Sequence, residues 1–323
     1  MNIKKILKFS SLSLLILLII VIYNSIYLDI PKNEIISKHA NESSKFLELS
    51  DGSLIHFRDE GNKKGKAILL IHGFNGSLFN YEPMVPFLTD EYRVISIDLP
   101  AHGLTGAVKS DLYSHEGFEK VIGEVVKLLG INKFYFVGHS MGGMIAWRYA
   151  LKHLDQLNGL IIIGSPFIAN EEEYRDFQSV NAPPAAFEII ESKFFRRALE
   201  YVTPRLLVKE GVSQTVYDQS IVTDKLVNQF HDIILMEGTR LAIGMLVEDH
   251  EDDFIANPNN LKNISIPSLI LHGEEDNLVD IRFVKHFIDQ IPNVRLISYP
   301  NVGHMPPMEI PSLLAQDIRG FIN

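Results

Sequence analysis

The pattern of apolar and polar positions divides the chain into an uncharged block followed by alternating short runs. From Phe9 to Leu28 no residue carries a charge, and Leu12 to Tyr23 is almost entirely Leu, Ile and Val. Twenty helical residues rise ~30 Å, about one bilayer core. Residues 29–44 are polar and mixed, and read as a linker. Strand-like runs follow at Lys45 to Leu49 and Leu54 to Arg58, around the hairpin signal Asp51-Gly52. Lys66 to Ile71 and Tyr92 to Ile97 read as further strands. Glu116 to Leu129 places Phe118, Val121, Ile122, Val125, Val126 and Leu129 at helical spacing, with Gly130 as a stop. A strand over 133–137, a helix after Ser140 and a strand over Leu160 to Ile163 complete the first alternation. Strands alternating with helices imply a parallel sheet covered on both faces.

The alternation then pauses. Phe167 to His250 is mostly helical in pattern, with candidate helices at Phe194 to Val202, Asp218 to Ile234 and Arg240 to Leu246. It resumes with a strand at 268–271, a helix at 281–290, a strand at 294–299 and a final helix near 310–322. A helical insert between two sheet strands reads as a cap over the strand ends. The expected organisation is an N-terminal membrane anchor at 1–28, a linker at 29–44, a core at 45–166, a helical cap at 167–250 and the rest of the core at 251–323.

Composition narrows the chemistry. The 323 residues include no cysteine, which removes thiolate catalysis, disulfides and Cys-based zinc sites together. The net charge of -10 gives no electrostatic support to nucleic-acid binding. Lys4, Lys5 and Lys8 precede the apolar block, so the N-terminus is expected in the cytoplasm and the bulk on the exported side. Secretion after signal cleavage is the alternative, although no small-x-small site follows the block. Neither a Walker sequence nor G-x-G-x-x-G occurs, and no cofactor or metal is expected.

One motif carries chemistry. Gly138-His139-Ser140-Met141-Gly142 reads G-x-S-x-G between an apolar strand and a helix. A serine on that sharp turn is exposed at the end of the sheet, and the flanking glycines permit the turn. Acyl transfer by serine also needs a base, an acid to orient the base, and oxyanion donors. His304 follows the strand at 294–299, where an imidazole can take the serine proton. Asp276 follows the strand at 268–271 and is the expected acid, with Glu274, Glu275 and Asp280 as neighbours in the same turn. The oxyanion donors are expected to be the backbone amides of Met141 and Phe74, the latter in His72-Gly73-Phe74-Asn75-Gly76. His102 and His139 read as packing or backbone-bonded histidines. Glu248 to Asp253 reads as a solvated acidic loop, and the aromatics of 167–240 mostly as cap core.

At these residues the chain resembles the α/β-hydrolase superfamily, from about residue 45 to the C-terminus. The loop at 72–76, Asp98-Leu99-Pro100-Ala101-His102-Gly103, Gly138 to Gly143 and Gly303-His304 carry the resemblance. It implies an eight-stranded, mostly parallel sheet with helices on both faces and a helical cap after the sixth strand. It also implies the roles just given to Ser140, Asp276, His304, Phe74 and Met141. Haloalkane dehalogenases and epoxide hydrolases of this fold use an aspartate where this chain has Ser140. Ala101 stands where many relatives have glycine, which leaves the local turn open.

The leading expectation is a membrane-anchored serine hydrolase acting on a small-molecule ester, lactone or thioester. The same triad could cleave a carbon–carbon bond in a dienoate, or act as a perhydrolase. That chemistry needs a cation for a second carboxylate, for which Arg148, Arg196, Arg197, Arg205 and Arg240 are candidates. A non-catalytic ligand-binding protein is the third reading. Oligomeric state is not legible.

Overall fold

The computed structural model describes residues 26–180, 201–249 and 255–323. Eight strands form one sheet: β1 (Ser44–Glu48), β2 (Leu54–Gly61), β3 (Ala67–Ile71), β4 (Arg93–Ile97), β5 (Phe134–His139), β6 (Leu157–Ile163), β7 (Ser268–Gly273) and β8 (Val294–Tyr299). Their order is β1-β2-β4-β3-β5-β6-β7-β8. Only the β1–β2 and β2–β4 pairs are antiparallel; every other neighbour pair is parallel.

The helices are α1 (Lys32–His39), α2 (His115–Leu128), α3 (Met141–Lys152), α4 (Glu171–Val180), α5 (Arg205–Thr215), α6 (Asp224–Ile234), α7 (Thr239–Asp249), α8 (Lys285–Gln290), α9 (Pro306–Glu309) and α10 (Pro311–Ile322). Alternate residues of the parallel strands face opposite layers, as a period of two requires. Leu69, Ile71, Phe134, Phe136, Leu160 and Ile162 pack with α2, α3 and α8. Ile68, Leu70, Val137, Ile161, Ile163 and Leu271 pack instead with Tyr81, Leu88 and α10. Burial on both faces explains why these strands read as continuous apolar runs rather than alternating ones.

Several elements differ from the sequence pattern. The expected linker holds α1, whose Ile35 is buried. Ile26 to Leu28, placed in the expected anchor, are not helical: Ile26 bridges Val202, and the Tyr27 amide donates to the Tyr201 carbonyl. Their backbone groups find partners on the protein rather than within a helix. Residues 1–25, the rest of that expected span, lie outside the described residues. No helix among the described residues is long and apolar enough to cross a membrane.

Between β6 and β7 the described elements are helical, as the pattern implies, but their limits move. The expected helix Asp218 to Ile234 begins instead at Asp224, where the Thr223 side chain caps it by accepting the Leu226 amide. Helices α4 and α5 carry no expectation from the sequence. Most of the expected helix Phe194 to Val202, and much of the acidic run 248–253, fall outside the described residues. Phe167, one of the aromatics expected in the cap, packs in the main core against Trp147 and Phe287. Ala101 adopts φ 69°, so the turn keeps a left-handed conformation without glycine.

Candidate active site

The sheet delivers the candidate nucleophile. β5 ends at His139, and Ser140 takes φ 53° and ψ -120° before α3 begins. Its amide donates to the Ile163 carbonyl at 2.9 Å, and its carbonyl accepts the Gly143 amide at 2.8 Å. Such a backbone costs about 1–3 kcal/mol and persists only when its surroundings over-determine it. Close approach supplies that constraint. A Cβ on Gly138 would collide with the Gly142 carbonyl, and one on Gly142 with the Ile71 carbonyl. The glycines therefore let α3 lie directly on β3 and β5, and the serine is forced outward, half-buried at the strand end.

His304 lies in the loop between β8 and α9 and is buried. Its Nδ1 donates to Asp276 Oδ2 at 2.7 Å. The other carboxylate oxygen, Oδ1, accepts the amides of Leu278 at 2.8 Å and Val279 at 2.9 Å. Burial alone would raise the Asp276 carboxyl; the charge and hydrogen bond of His304, with help from His272 and the Val279 amide, outweigh it and hold the group below its ordinary range. An ionised Asp276 fixes the proton of His304 on Nδ1 and leaves Nε2 as the basic nitrogen. The neighbouring acids are occupied elsewhere: Glu274 accepts from Ser298, Glu275 from the Val302 amide, and Asp280 caps the Arg282 amide.

His139, beside the serine, packs its ring tilted against that of His304 at 4.8 Å between centroids and bonds the His304 carbonyl through Nε2 at 2.6 Å. Burial, and then repulsion from His304, push its pKa down to about 3, so it is a neutral donor that holds the loop. His102 bonds the Pro100 carbonyl, as a backbone-bonded histidine would.

The loop after β3 passes against the nucleophile. A Cβ on Gly73 would sit 2.9 Å from the Ser140 Cβ. His72 sets that loop: its Nδ1 donates to the Gly73 carbonyl at 2.7 Å while Nε2 accepts the Leu99 amide at 3.1 Å. Phe74 follows Gly73, half-buried and edge-on to His102. Met141 is the first residue of α3, so its amide is among those with no acceptor inside the helix. The structure thus brings His304 and Asp276 together, and sets the Gly73–Phe74 turn and the Met141 amide at Ser140.

Three participants escape a sequence reading. Asp98, fully buried, accepts His56 Nδ1 at 2.6 Å, the Leu78 amide at 2.7 Å and the Leu104 amide at 2.8 Å, and so anchors the loop that carries Gly73. Its place in the segment Asp98 to Gly103 and a histidine inside the apolar run Leu54 to Phe57 were its signals, and neither names the bond. His272, buried on β7, adds to the lowering of the Asp276 carboxyl that His304 dominates. Glu309 accepts four backbone amides, those of Gly303 and Met305 around His304 and those of Tyr217 and Asp218 beyond α5. A glutamate in a Pro-rich turn gives no hint of that bridge.

Comparison with known proteins places this arrangement. The family model described as alpha/beta hydrolase fold matches residues 66–183. "Uncharacterized hydrolase YugF" of Bacillus subtilis is 25% identical over 276 residues, covering 84% of this chain and 95% of that protein. A 2-hydroxy-6-oxo-6-(2'-aminophenyl)hexa-2,4-dienoic acid hydrolase of Metapseudomonas resinovorans is 24% identical, over 80% of this chain and 85% of its own length. Among solved structures, a membrane phospholipase A described as a bacterial virulence factor superposes with a TM-score of 0.71 at 19% identity, covering 99% of this chain and 98% of that one. That last likeness speaks for the fold alone. The chain carries the α/β-hydrolase fold, and its hydrolase-named relatives support an enzyme of that class.

Proposed function

We propose that this protein is a membrane-anchored serine hydrolase that cleaves carboxylic ester, lactone or thioester bonds. The observation that carries the reading is the 2.7 Å bond from His304 Nδ1 to a buried, ionised Asp276, on a loop bonded to the residue before Ser140. In this reading His304 Nε2 removes the Ser140 proton as Oγ attacks the acyl carbon. The amides of Met141 and Phe74 receive the oxyanion, and His304 returns the proton to the leaving group. Water, deprotonated by the same imidazole, then releases the acyl group from Ser140. The positive end of α3 points at the developing charge, which favours the oxyanion further. The apolar block that ends at Tyr23, ahead of the residues paired with the cap, holds the enzyme to the membrane.

Carbon–carbon hydrolysis is the second reading, supported by the dienoate hydrolase among the relatives. Two of the cations it could use are engaged elsewhere: Arg205 pairs with Asp224, and Arg240 with Asp29. That weighs toward the ester reading. The deciding experiment is fluorophosphonate labelling of membrane and soluble fractions from cells making the full chain or Ser140→Ala. A labelled band in the membrane fraction that vanishes in the variant supports nucleophile and anchor together. A labelled soluble band removes the anchor, and no label on folded protein removes the serine mechanism.

A further inference from the structure

The first described residues run onto the cap and not onto the sheet. Ile26 bridges Val202, and the Tyr27 ring meets His231 edge-on at 4.8 Å. The Ile30 amide donates to the Leu235 carbonyl at 2.8 Å, and the Glu237 amide returns to the Ile30 carbonyl at 2.9 Å. Arg240 spans the turn between them, bonding the Tyr27 carbonyl and the Asp29 carboxylate. Lys38 and His39, at the end of α1, both reach Asp232 on α6. Ile35, with Ile30 and Ile36, packs among Leu78, Leu104 and Met236. Residues 26–39 are thus a strap that ties the N-terminal side of the chain to α6 and α7.

On the strap and at the start of α5 lie the large apolar side chains with the greatest exposure among the described residues, Leu28 at 80% and Leu206 at 74%. Ile26, Tyr201 and Leu241 are exposed with them. Pairing of Ile26 with Val202, and of Arg240 with both neighbours of Leu28, gathers these positions around one junction. On the core, exposed residues such as Leu54, Leu128 and Leu296 sit on separate elements, the scatter that ordinary surfaces show.

We propose that this cap face docks on the lipid bilayer, so that the site draws its acyl substrate from the membrane rather than from solution. The proposal rests on the anchor and acyl-transfer readings above. The occupant follows from the chain itself. The apolar centre of the N-terminal block ends at Tyr23, and only Asn24 and Ser25 separate it from Ile26. Tyr23 to Ile26 is three chain steps, about 11 Å at most, so an anchored chain holds the strap and its apolar neighbours at the membrane surface. The chain is acidic, with a net charge of -10, so adhesion here is apolar and insensitive to salt. Helix α5 links that face to the chemistry. Leu206 lies at its start, and the carbonyl of Thr215 at its end accepts the His304 amide, nine residues or ~14 Å further along.

The absence of cysteine makes the test direct. The full chain in phosphatidylcholine vesicles would carry one fluorophore at Leu206→Cys or Leu241→Cys on the cap, or at Leu128→Cys or Leu296→Cys on the core. Brominated lipid should quench the cap labels at least about twofold more than the core labels. Equal quenching in chains that float with the vesicles overturns the docking and leaves the anchor standing. Failure of the full chain to float overturns the anchor reading and the docking with it. The substrate source is tested by the double variant Leu206→Glu with Leu241→Glu. It should lose at least fivefold on a long-chain umbelliferyl ester carried in vesicles and keep its rate on a soluble short-chain ester. Equal effects on both esters overturn the proposal, and no turnover of either by the unmodified enzyme overturns the acyl-transfer reading beneath it.

Discussion

The carbonyl of Thr215 accepts the backbone amide of His304 at 2.8 Å, so the cap holds the candidate base directly. Glu309 doubles the connection by accepting amides on both sides of it. Misplacing a catalytic group by about 1 Å can cost on the order of 100-fold. Glu309→Ala should therefore lower kcat by roughly 10- to 100-fold with a smaller change in KM. Glu309→Gln, which keeps a carbonyl acceptor, should recover part of the loss. Steady-state kinetics on one ester decide it, and equal rates for all three proteins would remove the positioning role.

Asp276→Asn tests the tautomer. An amide in place of the carboxylate no longer compels the Nδ1 proton of His304, and the basic nitrogen turns away from Ser140. Turnover should fall on the order of 10³- to 10⁴-fold while fluorescence and melting show a folded protein. A loss below tenfold would mean that Asp276 does not orient the base.

The strained backbone of Ser140 makes a prediction about stability. With φ at 53° the position stores about 1–3 kcal/mol, part of which glycine relieves at an entropic cost of ~0.5–1 kcal/mol. Ser140→Gly should therefore melt about 2 °C above Ser140→Ala, both being inactive. Identical melting temperatures would show that the elbow carries no strain.

The buried histidines should make the fold sensitive to mild acid. His139 stays neutral in the fold because burial and His304 lower its pKa from 6.5 to about 3. The unfolded chain takes up that proton below about 6.5, so the unfolded state binds more protons across the window between the two values. Its contribution to stability is complete above about 6.5 and is lost as the pH falls toward 3. His72 and His272, also lowered by burial, act in the same direction. Urea midpoints at pH 7.5 and 5.5 should drop steeply for the unmodified chain and less for His139→Gln, by up to ~1.4 kcal/mol per pH unit for this one group. Parallel drops would exclude His139 as a contributor.

The alternating core was legible because its physics is local. Buried parallel strands are apolar along their whole length, and α2 shows its stripe and its Gly130 stop without reference to anything distant. Ser140 was legible because the glycines two residues before and two residues after it announce a turn that other residues cannot make. The α1 strap was not, since a polar helix with one buried Ile35 has no strong periodicity and owes its place to Arg240 and Asp232 far along the chain. Helix limits between β6 and β7 moved for a related reason: the Thr223 cap, and not the apolar pattern, sets where α6 begins.

By itself, then, the sequence determined the layer architecture, the strand-to-helix turn at Ser140 and the candidates His304 and Asp276 at strand ends, because period, glycine placement and element order are properties of neighbouring residues. Tertiary structure alone decided that Asp276, and neither Glu274 nor Glu275, meets His304. It alone decided that Asp98 and His56 support the Gly73 loop and that Glu309 and Thr215 join the cap to the base. Those contacts join groups tens of residues apart, and their energies depend on burial and orientation that no local pattern encodes.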